Sequence, residues 1–338
     1  MSKKKNPNFK HATKLPILKH SGFKPKLTNI ETAKKHNYCV IKGVAITGDA
    51  PKDIIRLYEY GTALKRKPKK WPIYIAKLGH KYYPLESITE QVITDIGNWY
   101  GFNLSESKLC IISDQIRFLS KYFIKEKADE LYHGADLYAG YLNDKMFVDE
   151  VELLKMTQSF FTIKFTKEVL EHFFVDSNKF LYDSFMQMLL FDALIGNNDR
   201  HMYNWGVIRD IFGQKLGRFS PIYDSARGLL WNETESKIIE IVNDDNRKKK
   251  FIEKYCENSK PKIGIESKEN VNHFDLIKSY SDFYKNSTFA QQIFAENKID
   301  HVINQLNYEF KTLLSNERRS LITDILKYRF NKLKKIVT

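Results

Sequence analysis

Apolar residues follow two different spacings along the chain, and the change between them divides it into two regions. Runs rich in β-branched and aromatic residues, bounded by turn residues, predict strands before residue 125. These strands are expected at residues 38–47, 53–60, 71–77, 108–113 and 116–124. One stretch of helical spacing, residues 90–101, lies between the third strand and the fourth.

From about residue 145 onward the spacing is helical. Residues 185–195 are apolar on nearly all sides and predict a buried helix, and residues 274–336 predict a helical tail. We therefore expect an α+β fold with two lobes, a small antiparallel β lobe followed by a mainly helical lobe. The expected boundaries are a loose basic arm over 1–36, an N-lobe over 37–124 and a helical C-lobe over 125–338.

Composition narrows the class of protein. A hydrophobic content of 42% predicts a globular chain, and no apolar run reaches the length of a membrane helix. The three cysteines are far apart and odd in number, which favours reduced thiols and a cytoplasmic location. The net charge of +14 would attract polyanions, although we attribute most of it to a composition rich in Lys, Asn and Ile.

Candidate chemistry begins where the buried helix ends. Asp199 is followed five residues later by Asn204, and Asp224 comes after a short predicted hairpin. Kinases use this Asp-x4-Asn spacing for a catalytic base and a metal-binding amide, with a metal-binding Asp further on. The alternative is a simple turn, since Asn and Asp are common after helices. Residues 210–213, Asp-Ile-Phe-Gly, are expected to be only the hairpin turn.

A lysine and a glutamate upstream complete the predicted set. Lys77 ends an apolar strand, where its charge requires a partner, and kinases pair such a lysine with a helix glutamate and with nucleotide phosphates. Glu90 is the expected partner, with Glu86 as competitor; the alternative role for Glu90 is an acid in the first turn of its helix. The hairpin turn at 48–52 is expected to cover the phosphates, and residues 121–123 to form the adenine-binding hinge.

The residues of this stretch resemble a known family. Leu-Ile-Gly-Asn-Asn-Asp-Arg-His-Met-Tyr-Asn-Trp-Gly, followed by Ser-Pro-Ile-Tyr-Asp-Ser-Ala, is similar to the HipA-type kinases, bacterial Ser/Thr protein kinases that are often toxins. The resemblance covers about residues 40–280. It implies a protein-kinase-like fold that binds ATP and Mg²⁺. A serine of the family's Gly-x-x-x-Lys turn is Ala45 here, which puts regulation by its phosphorylation in doubt.

The resemblance also implies roles for individual residues. Asp199 is the expected base, and Lys77 with Glu90 positions the phosphates. His201 is expected to orient the loop by bonding near Asp199 or Asp224, and Arg200 to contact substrate or phosphate or to pair with an acid. The remaining expected site residues bind metal or nucleotide: Asn204 and Asp224 for Mg²⁺, and Gly48, Lys52, Lys77, Tyr122 and Phe123 for ATP.

Three functions stay open at this point. The first is a Ser/Thr protein kinase, with a protein substrate and an antitoxin, or a small protein that supplies the family's extra N-terminal subdomain, as candidate partner. Neither a membrane nor direct sequence-specific DNA binding is expected. The second is a small-molecule or lipid kinase, because phosphoinositide kinases share Asp-Arg-His-x-x-Asn. The third is a nucleotide-binding pseudokinase, which the intact residue set disfavours.

Overall fold

The first lobe is a six-stranded sheet with one long helix against it. The computed structural model describes residues 22–41, 52–78, 85–124, 126 and 128–338. The strands of this lobe are β1 (Glu31–Ala33), β2 (Tyr38–Val40), β3 (Lys52–Leu57), β4 (Ile73–Lys77), β5 (Ser107–Ile112) and β6 (Gln115–Lys121). They are ordered β1-β5-β6-β4-β3-β2, and every neighbouring pair is antiparallel except β1 with β5.

The parallel edge strand β1 corrects one prediction. Residues 1–36 were expected to form a loose arm, but Glu31–Ala33 pairs with Cys110–Ile112, and the N–H of Lys26 donates to Thr312 O at 2.7 Å. Only Ala33 of the three strand residues is buried, so the strand leaves no alternating apolar pattern to detect. Residues 1–21 lie outside the described part of the chain.

The long helix of this lobe is α1 (Glu86–Tyr100). Ile88, Val92, Ile93 and Ile96 are fully buried on its inner face. It ends at Gly101, whose φ of 101° is a conformation that glycine adopts without strain. The helix begins four residues before the predicted start, so Glu90 lies in its second turn and is not an acid of the first turn.

The second lobe is mainly helical, as predicted. Its helices are α2 (Gly134–Leu142), α3 (Phe147–Leu153), α4 (Thr157–Phe160), α5 (Ile163–Phe173), α6 (Asn178–Ile195), α7 (Glu235–Val242), α8 (Asp245–Glu257), α9 (His273–Ser279), α10 (Ser281–Lys285), α11 (Thr288–Ile293), α12 (Lys298–Glu309) and α13 (Asn316–Val337). No helix of the described residues is both long and apolar enough to span a membrane.

A small antiparallel sheet also belongs to this lobe. It contains β7 (Asp129–His133), β8 (Gly206–Asp210) and β9 (Arg218–Phe219), in that order, and the sequence analysis missed β7. The turn between β8 and β9 is confirmed, since the N–H of Gly213 donates to Asp210 O at 2.9 Å. The sequence predicts the second strand of this hairpin over 218–223, but β9 ends at Phe219, and residues 220–225, which include Asp224, lie outside the strands.

Helix α6 lies in the core of the second lobe. Its C-terminal half, from Leu189 to Ile195, is buried on every side. It ends at Gly196 (φ 68°), where a Cβ would lie 3.1 Å from the guanidinium carbon of Arg329 on α13. The Nε of Arg329 in turn donates to Ala193 O at 2.6 Å. The C-terminal helix therefore fixes the end of α6 and the start of the loop that follows.

Candidate active site

Lys77 joins the sheet and the helix of its own lobe to a segment of the second lobe that is distant in sequence. Its Nζ lies 2.6 Å from Glu90 Oε1 on α1 and 2.9 Å from Asp224 Oδ1 in the second lobe. The lysine and Glu90 are buried, whereas the side chain of Asp224 is 36% exposed. Lys77 thus ties the sheet, the helix and the second lobe together at one point, and the predicted pairing of Lys77 with Glu90 instead of Glu86 is what the structure has.

The charges of this cluster fix the ionisation of its members. Burial alone would lower the pKa of Lys77, but Asp224 and Glu90 outweigh it and hold the pKa above its ordinary value. Burial would raise the pKa of Asp224, yet Lys77 lowers it to about 2. For Glu90 burial prevails and raises the pKa to about 7. We therefore assign the permanent ion pair to Lys77 and Asp224, while Glu90 titrates near neutrality.

Lys52 is brought to the same place by strand register. It lies directly opposite Lys77 in the β3–β4 pair, and its charge also lowers the pKa of Asp224. The antiparallel pairing of β2 with β3 agrees with the predicted hairpin. Gly48, the other residue expected in that turn, lies outside the described residues.

The loop after α6 presents Asp199 at the surface of the cleft. The side chain of Asp199 is 40% exposed, and partial desolvation raises the pKa of its carboxyl, while His201, Arg227 and Lys262 act in the opposite direction. Asn204 Nδ2 donates to Asp199 O at 2.9 Å, so the oxygen of that amide is left as an acceptor. A carboxylate with a raised pKa suits proton transfer near neutral pH.

Asp224 has the properties of a metal ligand. It is ionised, partly exposed and held at φ 54°, a left-handed conformation that is uncommon outside glycine and recurs at functional sites. Asp224 and the free amide oxygen of Asn204 are the kind of oxygen ligands that Mg²⁺ takes together with substrate phosphates. Within the described chain no cluster of three or more His, Cys, Asp or Glu is placed to hold a metal ion.

Arg200 is a structural residue, for which the sequence left two roles open. It is 1% exposed and forms a two-pronged ion pair with Asp192 on α6, with Nε–Oδ2 and Nη2–Oδ1 distances of 2.9 Å. It also donates to Asn204 O (2.8 Å), Tyr223 O (2.5 Å) and Ser225 Oγ (2.8 Å). Of the two predicted roles, contact with substrate or pairing with an acid, the structure has the second. Arg200 thus connects the Asp199 loop to the Asp224 segment on the interior side of the site, away from solvent.

His201 differs from its predicted contacts. Among the described residues, its ring Nδ1 accepts a hydrogen bond from the N–H of Tyr203 at 3.3 Å and the ring packs against that tyrosine, instead of bonding Asp199 or Asp224. The reason is the tight turn, in which the N–H of His201 donates to Asp199 O at 2.9 Å and keeps its ring on the Tyr203 side. His201 still contributes positive charge near both carboxylates.

Arg227 is a site residue without a predicted role. Its Nε lies 3.9 Å from Asp199 Oδ2 and 3.9 Å from Glu86 Oε1, and its guanidinium stacks 4.0 Å above the Trp231 ring. Glu86, the competing candidate for Lys77, is therefore an Arg227 partner. The position of Arg227 three residues after Asp224 was the only signal in the sequence.

The residues expected at the hinge connect the lobes after β6. The N–H of Tyr122 donates to Ile73 O at 2.9 Å, and the ring of Phe123 lies 5.6 Å from that of Tyr223, next to Asp224. Tyr122 and Phe123 thus border the cleft. Their binding to adenine stays a prediction.

Comparisons with known proteins identify the family from the sequence and the fold from a solved structure. A family model described as HipA-like C-terminal domain matches residues 21–307. No curated protein matches the sequence. The Helicobacter pylori proinflammatory kinase CtkA is similar over 91% of this chain and 96% of its own, at 16% identity and a TM-score of 0.66, which shows a shared kinase fold. A Shewanella oneidensis MR-1 toxin-antitoxin complex of HipA, HipB and operator DNA matches over 87% of this chain and 65% of that chain, at 12% identity and a TM-score of 0.49.

Proposed function

The chain belongs to the family of HipA-like C-terminal domains, and from this premise we propose that it is an ATP- and Mg²⁺-dependent kinase that phosphorylates Ser or Thr residues of a protein. One observation carries the proposal. Lys77 contacts Glu90 of its own lobe at 2.6 Å and Asp224, which follows 147 residues later in the other lobe, at 2.9 Å, beside a cleft that Asp199 borders. A packing role alone would not leave Asp224 ionised and 36% exposed.

The proposed reaction uses each residue for one task. The acceptor hydroxyl oxygen forms a bond to the γ-phosphorus, the bond from that phosphorus to the bridging oxygen breaks, and ADP leaves with the electron pair. Asp199 orients the hydroxyl and takes its proton. Lys77 holds the α- and β-phosphates, and Glu90 holds Lys77. Asp224 and Asn204 would hold Mg²⁺, which would supply charge neutralisation during transfer.

The direct test is transfer of label from γ-³²P-ATP by wild type and by Asp199→Asn. The variant keeps the shape and hydrogen bonds of the side chain but cannot accept the proton, so we expect turnover to fall by about 10²–10⁴-fold with ATP affinity nearly unchanged. Label on Ser or Thr of protein supports the proposal. Label only on a lipid or a metabolite would favour the second candidate, and ATP binding without any transfer would favour a pseudokinase.

A toxin role and an inhibitory partner protein form a second layer of the proposal, carried by family membership alone. The three cysteines are free thiols, which fits the reducing cytoplasm proposed as the site of action. Induced expression of wild type is expected to arrest bacterial growth, and expression of Asp199→Asn is not. Arrest by both proteins at equal levels would show that the effect is independent of phosphoryl transfer.

A further inference from the structure

A polar cavity of about 380 Å³ adjoins the Asp199 loop on the side of Asn198. The residues that bind phosphate or metal in the proposed reaction, Lys77, Asn204 and Asp224, are not among those that line it. Its walls come from α4 and from the segment between α8 and α9, and they carry Lys155, Thr157, Gln158, Asn198, Lys260 and Lys262. The cavity therefore lies beside the proposed base and apart from the proposed nucleotide site.

Hydrogen bonds hold this cavity in shape. Gln158 bridges its two walls. Its amide nitrogen Nε2 donates to Pro261 O at 2.7 Å and to Val271 O at 2.8 Å, and its Oε1 accepts from the N–H of Val271 at 3.1 Å. Ser259 Oγ donates to Asn198 Oδ1 at 2.7 Å. The wall segment is thus bonded both to α4 and to the loop that carries Asp199.

The cavity is positively charged. Lys155, Lys260 and Lys262 face one acid in its lining, Glu269. Within the described part of the chain, no carboxylate lies within 4.0 Å of any of the three ammonium groups, and Lys260 donates only to the neutral amide of Asn270 at 3.2 Å. Lys262 is close enough for its charge to lower the pKa of Asp199. An anionic group is therefore favoured next to the base.

An apolar groove continues from the cavity. It measures about 500 Å³, shares Ser159 with the cavity and is lined by Leu142, Phe147, Phe160 and Phe165. Leu153 and Leu154, at the end of the neighbouring α3, are 82% and 64% exposed. A contiguous apolar surface of this kind at a substrate entrance is typical of contact with a protein.

We propose, resting on the function proposed above, that the acceptor is a polypeptide segment with acidic residues next to the phosphorylated Ser or Thr and an apolar residue further along. The acidic side chains would enter the lysine-lined cavity, and the apolar side chain would lie in the adjoining groove. A small metabolite would leave the groove empty, and a basic acceptor segment would be repelled by the three lysines.

The experiment compares Ser-containing peptides whose flanking residues are Asp/Glu, Gln or Lys/Arg, with γ-³²P-ATP as donor. Wild type is expected to favour the acidic peptide over the basic one by at least about tenfold in kcat/KM. Lys262→Glu leaves two lysines against two glutamates in the lining, so it is expected to abolish this preference. ATP affinity should be unchanged in Lys262→Glu. The exposed Lys335 on α13 provides the matched control, since Lys335→Glu makes the same charge change without altering the peptide order.

A second variant tests the groove. Phe160→Ser is expected to raise KM for an acidic peptide that carries a leucine beyond the acceptor, and to leave KM for the same peptide with serine at that position unchanged.

Equal rates for acidic and basic peptides, or an unchanged preference in Lys262→Glu, would overturn the inference while the kinase proposal stands. Transfer to lipid or metabolite but not to peptide would overturn the polypeptide acceptor. Absence of transfer to any acceptor would instead overturn the proposed kinase function.

Discussion

Lys77 and Arg200 each hold an aspartate at 2.9 Å, but their surroundings differ. The partner of Lys77, Asp224, is 36% exposed and faces the cleft, whereas Arg200 and its partner Asp192 are each 1% exposed. The guanidinium of Arg200 also donates hydrogen bonds to two carbonyls and a hydroxyl of the protein, whereas the side chain of Asp224 remains partly accessible to solvent. The same ion-pair chemistry therefore belongs to the proposed nucleotide site in one place and stabilises loop geometry in the other, and burial separates the two roles.

Removing Arg200 is expected to have the largest effect of the changes that test this comparison, and the effect is on stability. Arg200→Met leaves Asp192 buried without its cation, so we expect a loss of about 3–5 kcal/mol in the free energy of unfolding. Urea denaturation measures this loss. The double variant Arg200→Met/Asp192→Leu, which removes both charges, should recover much of the stability. A single variant with wild-type stability would contradict the structural role of Arg200.

Removing Lys77 should have the opposite profile. Lys77→Met is expected to lower kcat/KM for phosphoryl transfer by about 10²–10³-fold, because the phosphates lose a preorganised cation. Its effect on stability should be smaller than that of Arg200→Met, since Asp224 is partly exposed and the pKa of Glu90, raised to about 7, lets that carboxyl take up a proton. A variant that unfolds like Arg200→Met would remove the distinction between the two cations.

A third carboxylate, that of Asp95, extends the comparison because among the described residues no cation contributes to its pKa shift. Burial raises the pKa of Asp95 on α1 to about 7, and among the described residues its hydrogen bond is to Gln91 Nε2 at 2.9 Å. The folded pKa exceeds the ordinary value of 3.8, so the folded state binds more protons between these limits and wild-type stability falls as pH rises through that window. Asp95→Asn should therefore gain up to about 4 kcal/mol at pH 8 and less than about 1 kcal/mol at pH 4.

Matched urea denaturation of wild type and Asp95→Asn at the two pH values measures the difference, in which other titrating groups cancel. A gain of the same size at both pH values would mean that packing, and not ionisation, explains it.

The sequence predicted the parts of the site that depend on local spacing. Asp199 and Asn204 share one loop, and Lys77 and Glu90 are signalled by a charge in an apolar strand and by an amphipathic helix. The contacts that complete the site join distant segments and leave no local pattern. Ser259 bonds Asn198 across 61 residues, and Arg227 approaches Glu86 from the other lobe. The edge strand β1 was not predicted for a related reason. Its three residues have no strand pattern of their own, and the strand forms by pairing with β5, which follows about 80 residues later.

The role of Arg200 illustrates the same limit. Its place between Asp199 and His201 left contact with substrate or phosphate and pairing with an acid both open, and only burial against Asp192 shows that it faces the interior. Residues of a motif are adjacent in sequence but alternate between the cleft and the core, and a spacing rule alone does not tell these directions apart.

Binding of Mg·ATP to wild type and to Asp224→Asn, measured by calorimetry with and without Mg²⁺, tests the central claim most directly. The accessible Asp224–Lys77 cluster should make wild-type affinity depend on Mg²⁺, and Asp224→Asn should weaken Mg·ATP binding by at least about tenfold, because a charged metal ligand is lost. Asp95→Asn, the same substitution at an aspartate that bonds Gln91 on α1, should bind Mg·ATP with near wild-type affinity. Wild type that does not bind the nucleotide, or Asp224→Asn that binds Mg·ATP as tightly as wild type, would contradict the account.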